Sequence, residues 1–196
     1  MQTEVEAKFP DIDPNSLREK LRSLGAVLEY PEVLMRRKVF DYEDNRLYKI
    51  GGWIRVRDEG DRVTFTYKQL NDRTLHGTKE VEVIVDNFDK TCELLLAIGL
   101  KQKSYQETKR EKWKLNGVEI TIDTWPWIPT FVEVEAADEA SVKKAVELLG
   151  LDWSQTMHGS VENIYQMHYD FSDEEIDKWE SITFIPEPEW LLVKKK

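Results

Sequence analysis

Six segments of the chain carry an ionised side chain at nearly every second position, opposite a row of apolar or β-branched ones: 3–9 (TEVEAKF), 53–58 (WIRVRD), 62–68 (RVTFTYK), 79–85 (KEVEVIV), 118–124 (VEITIDT) and 131–136 (FVEVEA). The acids of these rows are Glu4, Glu6, Glu80, Glu82, Asp123, Glu133 and Glu135. The bases are Lys8, Arg55, Arg57 and Lys68, joined by Arg110 from a further extended segment at 101–115. Two carboxylates at i and i+2 on one strand are close enough to share a hard divalent cation, and such oxygen donors suit Mg2+ or Mn2+. Lysine and arginine suit phosphate oxygens, and the arginine fork can take two at once. Both kinds in one place suit a polyphosphate whose charge is met partly by side chains and partly by metal. No Gly-rich phosphate loop of the P-loop type occurs in the chain, so the phosphate chemistry has to rest on the side chains.

Period-two alternation puts the charged and apolar rows on opposite faces of strands. One such strand reads equally well as a solvated outer face laced with cross-strand ion pairs. Six together do not, because their opposite rows are rich in Val, Ile and Phe and need cover. Three amphipathic helices are available to supply it. Residues 11–25 have Asp11 or Asp13 as cap, Pro14 in the first turn, Leu17, Leu21 and Leu24 as the stripe and Gly25 as the stop. Residues 87–98 set Cys92, Leu95 and Ile98 inward before Gly99, and 138–150 set Val142, Ala145, Val146 and Leu149 inward. The charged rows therefore point into a barrel, away from the helices. A dozen ionised groups cannot be dried without a cost of several kcal/mol each, so the interior is a wet tunnel or cleft that holds ions.

The connections follow turn chemistry. Residues 26–42 are extended, with a break near Pro31. Glu59-Gly60-Asp61 and Asn116-Gly117 make two hairpins, the second being a strong short turn signal. Residues 71–77 form a polar loop and 125–129 a rigid apolar one, in which Trp125 and Trp127 pack rather than stack on a ligand. Shorter helices are expected at 161–169 and 173–179. The whole reads as one domain over 1–180, with a loosely held tail at 181–196.

Composition narrows the function. A formal net charge of −10 over 196 residues disfavours a general nucleic-acid binder but leaves room for a compact anion, since local charge decides that. The single cysteine, Cys92, excludes an internal disulfide and reads as a core thiol. Without a signal-peptide pattern or an apolar run long enough to cross a membrane, the expected location is cytoplasmic.

The ordered set of motifs resembles the CYTH domain family, the triphosphate tunnel metalloenzymes. Glu4, Glu6 and Lys8 look like its E-x-E-x-K opening. Arg55 and Arg57 look like its paired arginines, Lys68 like the lysine of its T-x-K strand, and Glu80 with Glu82 like an E-x-E pair. Lys109-Arg110 resembles its basic segment, Asp123 the following aspartate, and Glu133 with Glu135 the late E-x-E. The chain departs from the pattern at 127–130, where the family has a glycine, and at His158, which stands before Ser160 where the family has a basic residue.

The resemblance implies an α+β fold, a closed eight-stranded antiparallel β-barrel with helices packed outside, and Mg2+ or Mn2+ as cofactor. It implies catalytic or nucleophile-orienting roles for Glu4, Glu6, Lys8 and Asp123. Lys8, Arg55, Arg57, Lys68 and Arg110 would bind phosphate; Glu4, Glu6, Glu80, Glu82, Asp123, Glu133 and Glu135 would bind metal. The expected activity is hydrolysis of a triphosphate: inorganic triphosphate, ATP or thiamine triphosphate. The alternatives are a class IV-type adenylyl cyclase, making cyclic AMP and pyrophosphate, and a non-catalytic polyphosphate-binding module. The expected partner is the triphosphate itself, with no nucleic acid or membrane; a homodimer stays open.

Overall fold

The computed structural model describes residues 1–196, and every side chain except that of Gln2. Its first alternating run folds as two strands, β1 (Gln2–Thr3) and β2 (Val5–Phe9), divided at Glu4. The division decides the architecture. β1 pairs antiparallel with β6 (Thr78–Val85), and β2 pairs antiparallel with β9 (Phe131–Ala136). Between them lie β3 (Val27–Asp41), β4 (Gly52–Asp58), β5 (Val63–Leu70), β7 (Lys101–Leu115) and β8 (Val118–Thr124), in the order β1-β6-β5-β4-β3-β7-β8-β9-β2. The N-terminal run thus bonds to both ends of one sheet and curls it round. Counted as one strand it makes eight, all antiparallel, in the expected barrel.

Closure is narrower than a full barrel requires. Only Gln2 and Thr3 pair with Glu80 and Lys79, and the Glu4 backbone N–H donates to the Thr78 carbonyl at 3.0 Å. Beyond Glu80, Val81–Val85 pair with β5 but, among the described residues, with no second strand. The barrel is open along that seam.

Helices cover the apolar rows of β2, β4, β8 and β9 as expected, but not that of β6, where Val81 and Val83 are each 49% exposed. α1 (Pro14–Ser23) is capped by Asp13, whose carboxylate accepts from the Ser16 N–H at 2.7 Å. α3 (Glu139–Leu149) is capped in the same way by Asp138. Leu17 and Leu21 of α1 and Val142, Val146 and Leu149 of α3 join Val5, Ala7 and Phe9 of β2, Ile120 and Ile122 of β8, and Val132 and Val134 of β9 in one core. α2 (Phe88–Ala97) packs Phe88, Cys92 and Leu95 on Phe40 and Val56. Ile98, expected inward, is 63% exposed. It is the cap residue, and the buried stripe of Phe88, Cys92 and Leu95 continues at helical spacing to position 99, which leaves Ile98 on the flank.

Three further readings are corrected. Pro31 does not break β3, which runs through it; the irregular register with β7 between Tyr30 and Val33 absorbs the residue that cannot donate. The helix expected over 173–179 is a single turn, α5 (Asp173–Ile176), after α4 (Glu162–His168). The C-terminal tail is docked. β10 (Ser181–Ile182) pairs with β7, and Leu191 of α6 (Glu189–Leu192) is fully buried. Trp190 meets Trp127, Phe171 and Trp179 edge-on at 5.1–6.0 Å between ring centroids. Two large apolar side chains hold a segment whose prolines and lysines alone suggest a loose end.

This C-terminal layer also stoppers the barrel. The inward rows of β8 and β9 end in Trp125 and Phe131, which pack with Ile164, Tyr165, Tyr169, Trp179 and Leu191. Ser104, on the inward row of β7, donates to the Trp179 carbonyl at 2.7 Å. The opposite end is a cavity lined by Tyr30, Met35, Arg57, Glu59, Arg62, Arg110, Lys112 and Glu119. Among the described residues no helix is long and apolar enough to cross a membrane.

Candidate active site

Strand register alone brings the charged rows together. Glu6 sits opposite Glu135, which sits opposite Glu119; Lys8 sits opposite Glu133, which sits opposite Thr121. Lys68 is opposite Glu80, Thr66 lies between Arg55 and Glu82, and Arg110 is opposite Asp123. All twelve residues singled out by the sequence lie on these inward rows. Glu4, Lys8, Arg55, Arg57 and Asp123 are buried. Lys109, next to Arg110, points the other way, with its ammonium over the Phe184 ring.

The groups form a chain of ion pairs. Lys68 Nζ reaches Glu4 at 2.7 Å and Glu80 at 3.2 Å. Lys8 pairs with Glu6 and lies 3.4 Å from Glu133. Arg110 donates to Asp123 at 2.7 Å and to Glu133 at 2.6 Å. Thr121 donates to the other Asp123 oxygen at 2.6 Å. Arg55 is 3.4 Å from Glu82, which also accepts from Thr66 at 2.8 Å.

Protonation follows from these contacts. Burial pushes Glu133 up, but Lys8 and Arg110 outweigh it and hold the carboxylate well below the usual range. Burial pushes Lys8 down, and Glu6 with Glu133 more than reverse that. Asp123 goes the other way, raised by complete burial and by Glu133 against the pull of Arg110. Glu135 is pushed up to about 7 by burial and by repulsion from Glu4, Glu119 and Glu6. Arg55 is brought down to about 10 by burial and by Arg57.

Four participants escaped sequence reading. Arg37 is buried beside Arg57, its cross-strand partner. It lies in Met35-Arg36-Arg37-Lys38, where three consecutive bases erase the alternation that marks the other rows. Glu59 is buried and accepts from Arg57 Nε at 2.8 Å and Arg62 Nε at 2.9 Å. Its signal was present, because Arg55, Arg57 and Glu59 keep period two into the turn. Glu119 shares a face with Asp123 two steps along β8 and pairs with Lys112, itself inward on β7.

His158 meets the site only through the site's backbone, and the two tryptophans of the apolar loop pack as expected. His158 sets its ring Nδ1 3.3 Å from the Glu6 carbonyl, so it touches the backbone of the site strand. The Trp127 indole donates to the Ile185 carbonyl at 2.9 Å, and Trp125 is buried in the stopper. Among the described residues no three His, Cys, Asp or Glu side chains stand together as a ready metal cage. Lys8, Lys68 and Arg110 sit between the carboxylates and neutralise them in pairs. The donors nonetheless fit a hard divalent cation. They are all carboxylate oxygens, and Glu135 is held among other carboxylates with its proton affinity raised.

Known proteins resemble the chain at the level of domain and fold. The family model described as the CYTH domain matches residues 2–166. A Methanocaldococcus jannaschii protein provisionally named an adenylate cyclase is 26% identical over 134 residues, 67% of this chain and 75% of that one. A Vibrio parahaemolyticus structure, provisionally an adenylate cyclase, superposes with a TM-score of 0.71 at 14% identity over 84% of this chain and 98% of that one. A Hippeastrum protein provisionally called an adenylyl cyclase, and described as having a dominant triphosphatase activity, superposes with a TM-score of 0.58 at 14% identity, covering 89% and 95%.

Proposed function

Because the chain belongs to the CYTH domain family, we propose that it is a divalent-metal-dependent hydrolase of a triphosphate held in the barrel. One observation carries this reading: opposite walls of the interior gather charges of opposite sign, and each leaves one group without a counter-ion among the described residues. Glu135 stands among Glu4, Glu6 and Glu119, which have Lys68, Lys8 and Lys112, and Arg37 stands beside Arg55 and Arg57, which have Glu82 and Glu59. A bound cation and a bound polyanion relieve both walls at once.

The cation would be held by carboxylates drawn from Glu4, Glu6, Glu80, Glu82, Asp123, Glu133 and Glu135, with Mg2+ and Mn2+ the matching ions. It would supply charge neutralisation at phosphate oxygens when bound. The protein's own part is an exchange of partners. Phosphate oxygens take over Lys8, Arg55, Arg57, Lys68 and Arg110 as charge-assisted acceptors, which frees the carboxylates those groups now hold. The polyphosphate is thereby fixed along the tunnel for in-line attack by water on the terminal phosphorus. The new P–O bond forms as the bridging P–O bond breaks, releasing phosphate and the shortened phosphate chain. One of the inward carboxylates would accept the proton of the attacking water.

Cyclisation of ATP is the second reading, supported by the provisional names of the relatives. It needs a pocket for the base. The tryptophans that would stack on one are engaged otherwise, Trp127 with Ile185 and Trp125 under the Arg37 guanidinium. The deciding experiment is turnover of inorganic triphosphate, ATP and thiamine triphosphate with Mg2+ or Mn2+, with the products identified. Phosphate release without cyclic AMP is the expected result. Cyclic AMP with pyrophosphate would move the assignment to a cyclase, and binding without turnover to a binding module.

A further inference from the structure

Arg37 has no carboxylate of its own. The other basic residues of the tunnel do: Arg57 has Glu59, Arg55 has Glu82, Arg110 has Asp123 and Glu133, and Lys68 has Glu4. The one hydrogen bond of the Arg37 side chain among the described residues goes to the Thr108 hydroxyl, at 2.8 Å. Its Nε and that of Arg55 are both buried without an acceptor. Arg37 is 7% exposed, and its Cα partner across the ladder is Arg57. Burial and the like charges of Arg57, Arg55 and Arg110 all work against its ionised form, with Asp123 the opposing carboxylate. An unpaired guanidinium among three others is costly to keep unless something anionic comes to it.

Its place in the tunnel says which part of a ligand it meets. The Arg37 guanidinium lies over the Trp125 ring, 4.6 Å from the centroid. Trp125 belongs to the aromatic stopper, and the open cavity lies at the other end, by Tyr30, Glu59 and Arg62. A linear phosphate chain that enters from the open end reaches Arg37 last. Trp125 and Thr108 fix the guanidinium in advance, so little side-chain freedom is lost on binding.

We propose that Arg37, with Arg55, forms an anion subsite at the stoppered end that receives the terminal phosphoryl group and makes the tunnel select three linked phosphates over two. The inference rests on the triphosphate reading for the identity of its ligand, but not for the existence of the anion subsite. The test is binding in excess EDTA, so that metal and turnover play no part. Inorganic phosphate, pyrophosphate and inorganic triphosphate are titrated into the parent, Arg37→Gln and Arg37→Lys, by calorimetry and by the shift in melting temperature.

Arg37→Gln should weaken triphosphate binding about 30-fold and pyrophosphate binding less than about threefold, as expected for one lost desolvated charge contact. Arg37→Lys should fall between, since it keeps the charge without the planar fork; it carries the test if the Gln variant does not fold. Equal losses for both ligands, or none, would overturn the subsite while leaving the triphosphate reading standing. Protection of the parent by inorganic phosphate, absent in Arg37→Gln and without triphosphate binding, would keep the subsite and overturn the triphosphate reading. A parent that responds to none of the three anions would overturn both.

Discussion

Glu135 and Glu59 are glutamates on the inward face of one barrel, and their surroundings push them in opposite directions. Glu135, on the wall of β2, β8 and β9, is raised to about 7 by burial and by three neighbouring carboxylates. Glu59, on the wall of β3 and β4, resists the upward push of burial because Arg57 and Arg62 bring it down to about 2. The difference is one of company, not of depth. On the first wall acids outnumber bases, and on the second bases outnumber acids. The two walls therefore carry charge of opposite sign, and neither would be expected of a sheet evolved only for stability, where replacing buried ion pairs by apolar packing is often neutral or favourable.

Removing the cation should break the comparison most severely. With excess EDTA, turnover of the preferred triphosphate should fall by more than about 10³-fold, because neutralisation of the developing charge is then lost. Full turnover in EDTA would mean that the acidic wall holds no metal in the working enzyme. Next in size is Arg57→Ala. It should raise KM for triphosphate by about 10²-fold through the lost phosphate contact. It should also lower the melting temperature, since Glu59 stays buried with only Arg62 to pair it. An unchanged KM would remove Arg57 from the phosphate path.

Glu135→Gln gives a smaller effect with a diagnostic sign. In the metal-free parent the folded state holds a proton on Glu135 up to about pH 7, whereas the unfolded chain releases it near 4.5. Stability from this group therefore declines as pH rises through that window, by about 3 kcal/mol in all. The Gln variant should match the parent near pH 4 and melt higher at pH 8 without metal, and it should gain less from added Mn2+. Glu59 predicts the reverse. Its contribution is present above about 4.5 and is lost as pH falls toward about 2, so Glu59→Gln should be less stable than the parent at pH 7. Equal pH profiles for the two variants would dissolve the distinction between the walls.

Most of this arrangement is legible in the sequence because strand faces are read by period two, and the inward residues are of the type that breaks the usual apolar-in rule. The 101–115 and 118–124 strands and their turn at Asn116 and Gly117, with φ of 51° and 87°, follow from local chemistry alone. What stays hidden depends on partners far away in the chain. Nothing in TEVEAKF announces that Glu4 is where the strand leaves β6 for β9, because that depends on how much of the sheet has to be curled. Arg37 is masked by its basic neighbours. Trp190 and Leu191 anchor the tail only because Trp127, Phe171 and Trp179 are there to receive them.

The smallest effect tests which way β6 faces. Glu82 and Val83 are adjacent, and period two sends them to opposite sides. Glu82 is hydrogen-bonded to Thr66 and lies 3.4 Å from Arg55, while Val83 is 49% exposed on the outer surface. The Arg55–Glu82 pair is long and its acid is 32% exposed, so breaking it should cost at most about 1 kcal/mol of stability. Its effect on binding has the opposite sign. Glu82 is an internal competitor for the guanidinium that phosphate would take, and neutralising it leaves the basic wall more positive. Glu82→Gln should therefore tighten triphosphate binding in EDTA by about threefold, a gain of under 1 kcal/mol. Val83→Thr keeps the β-branched shape at an exposed site and should alter neither binding nor stability by more than about 0.5 kcal/mol. A Glu82→Gln variant that binds triphosphate more weakly without metal would show that this carboxylate positions Arg55 for the anion instead of competing with it. A response from Val83→Thr instead would mean that the strand is turned the other way, with its valines lining the tunnel.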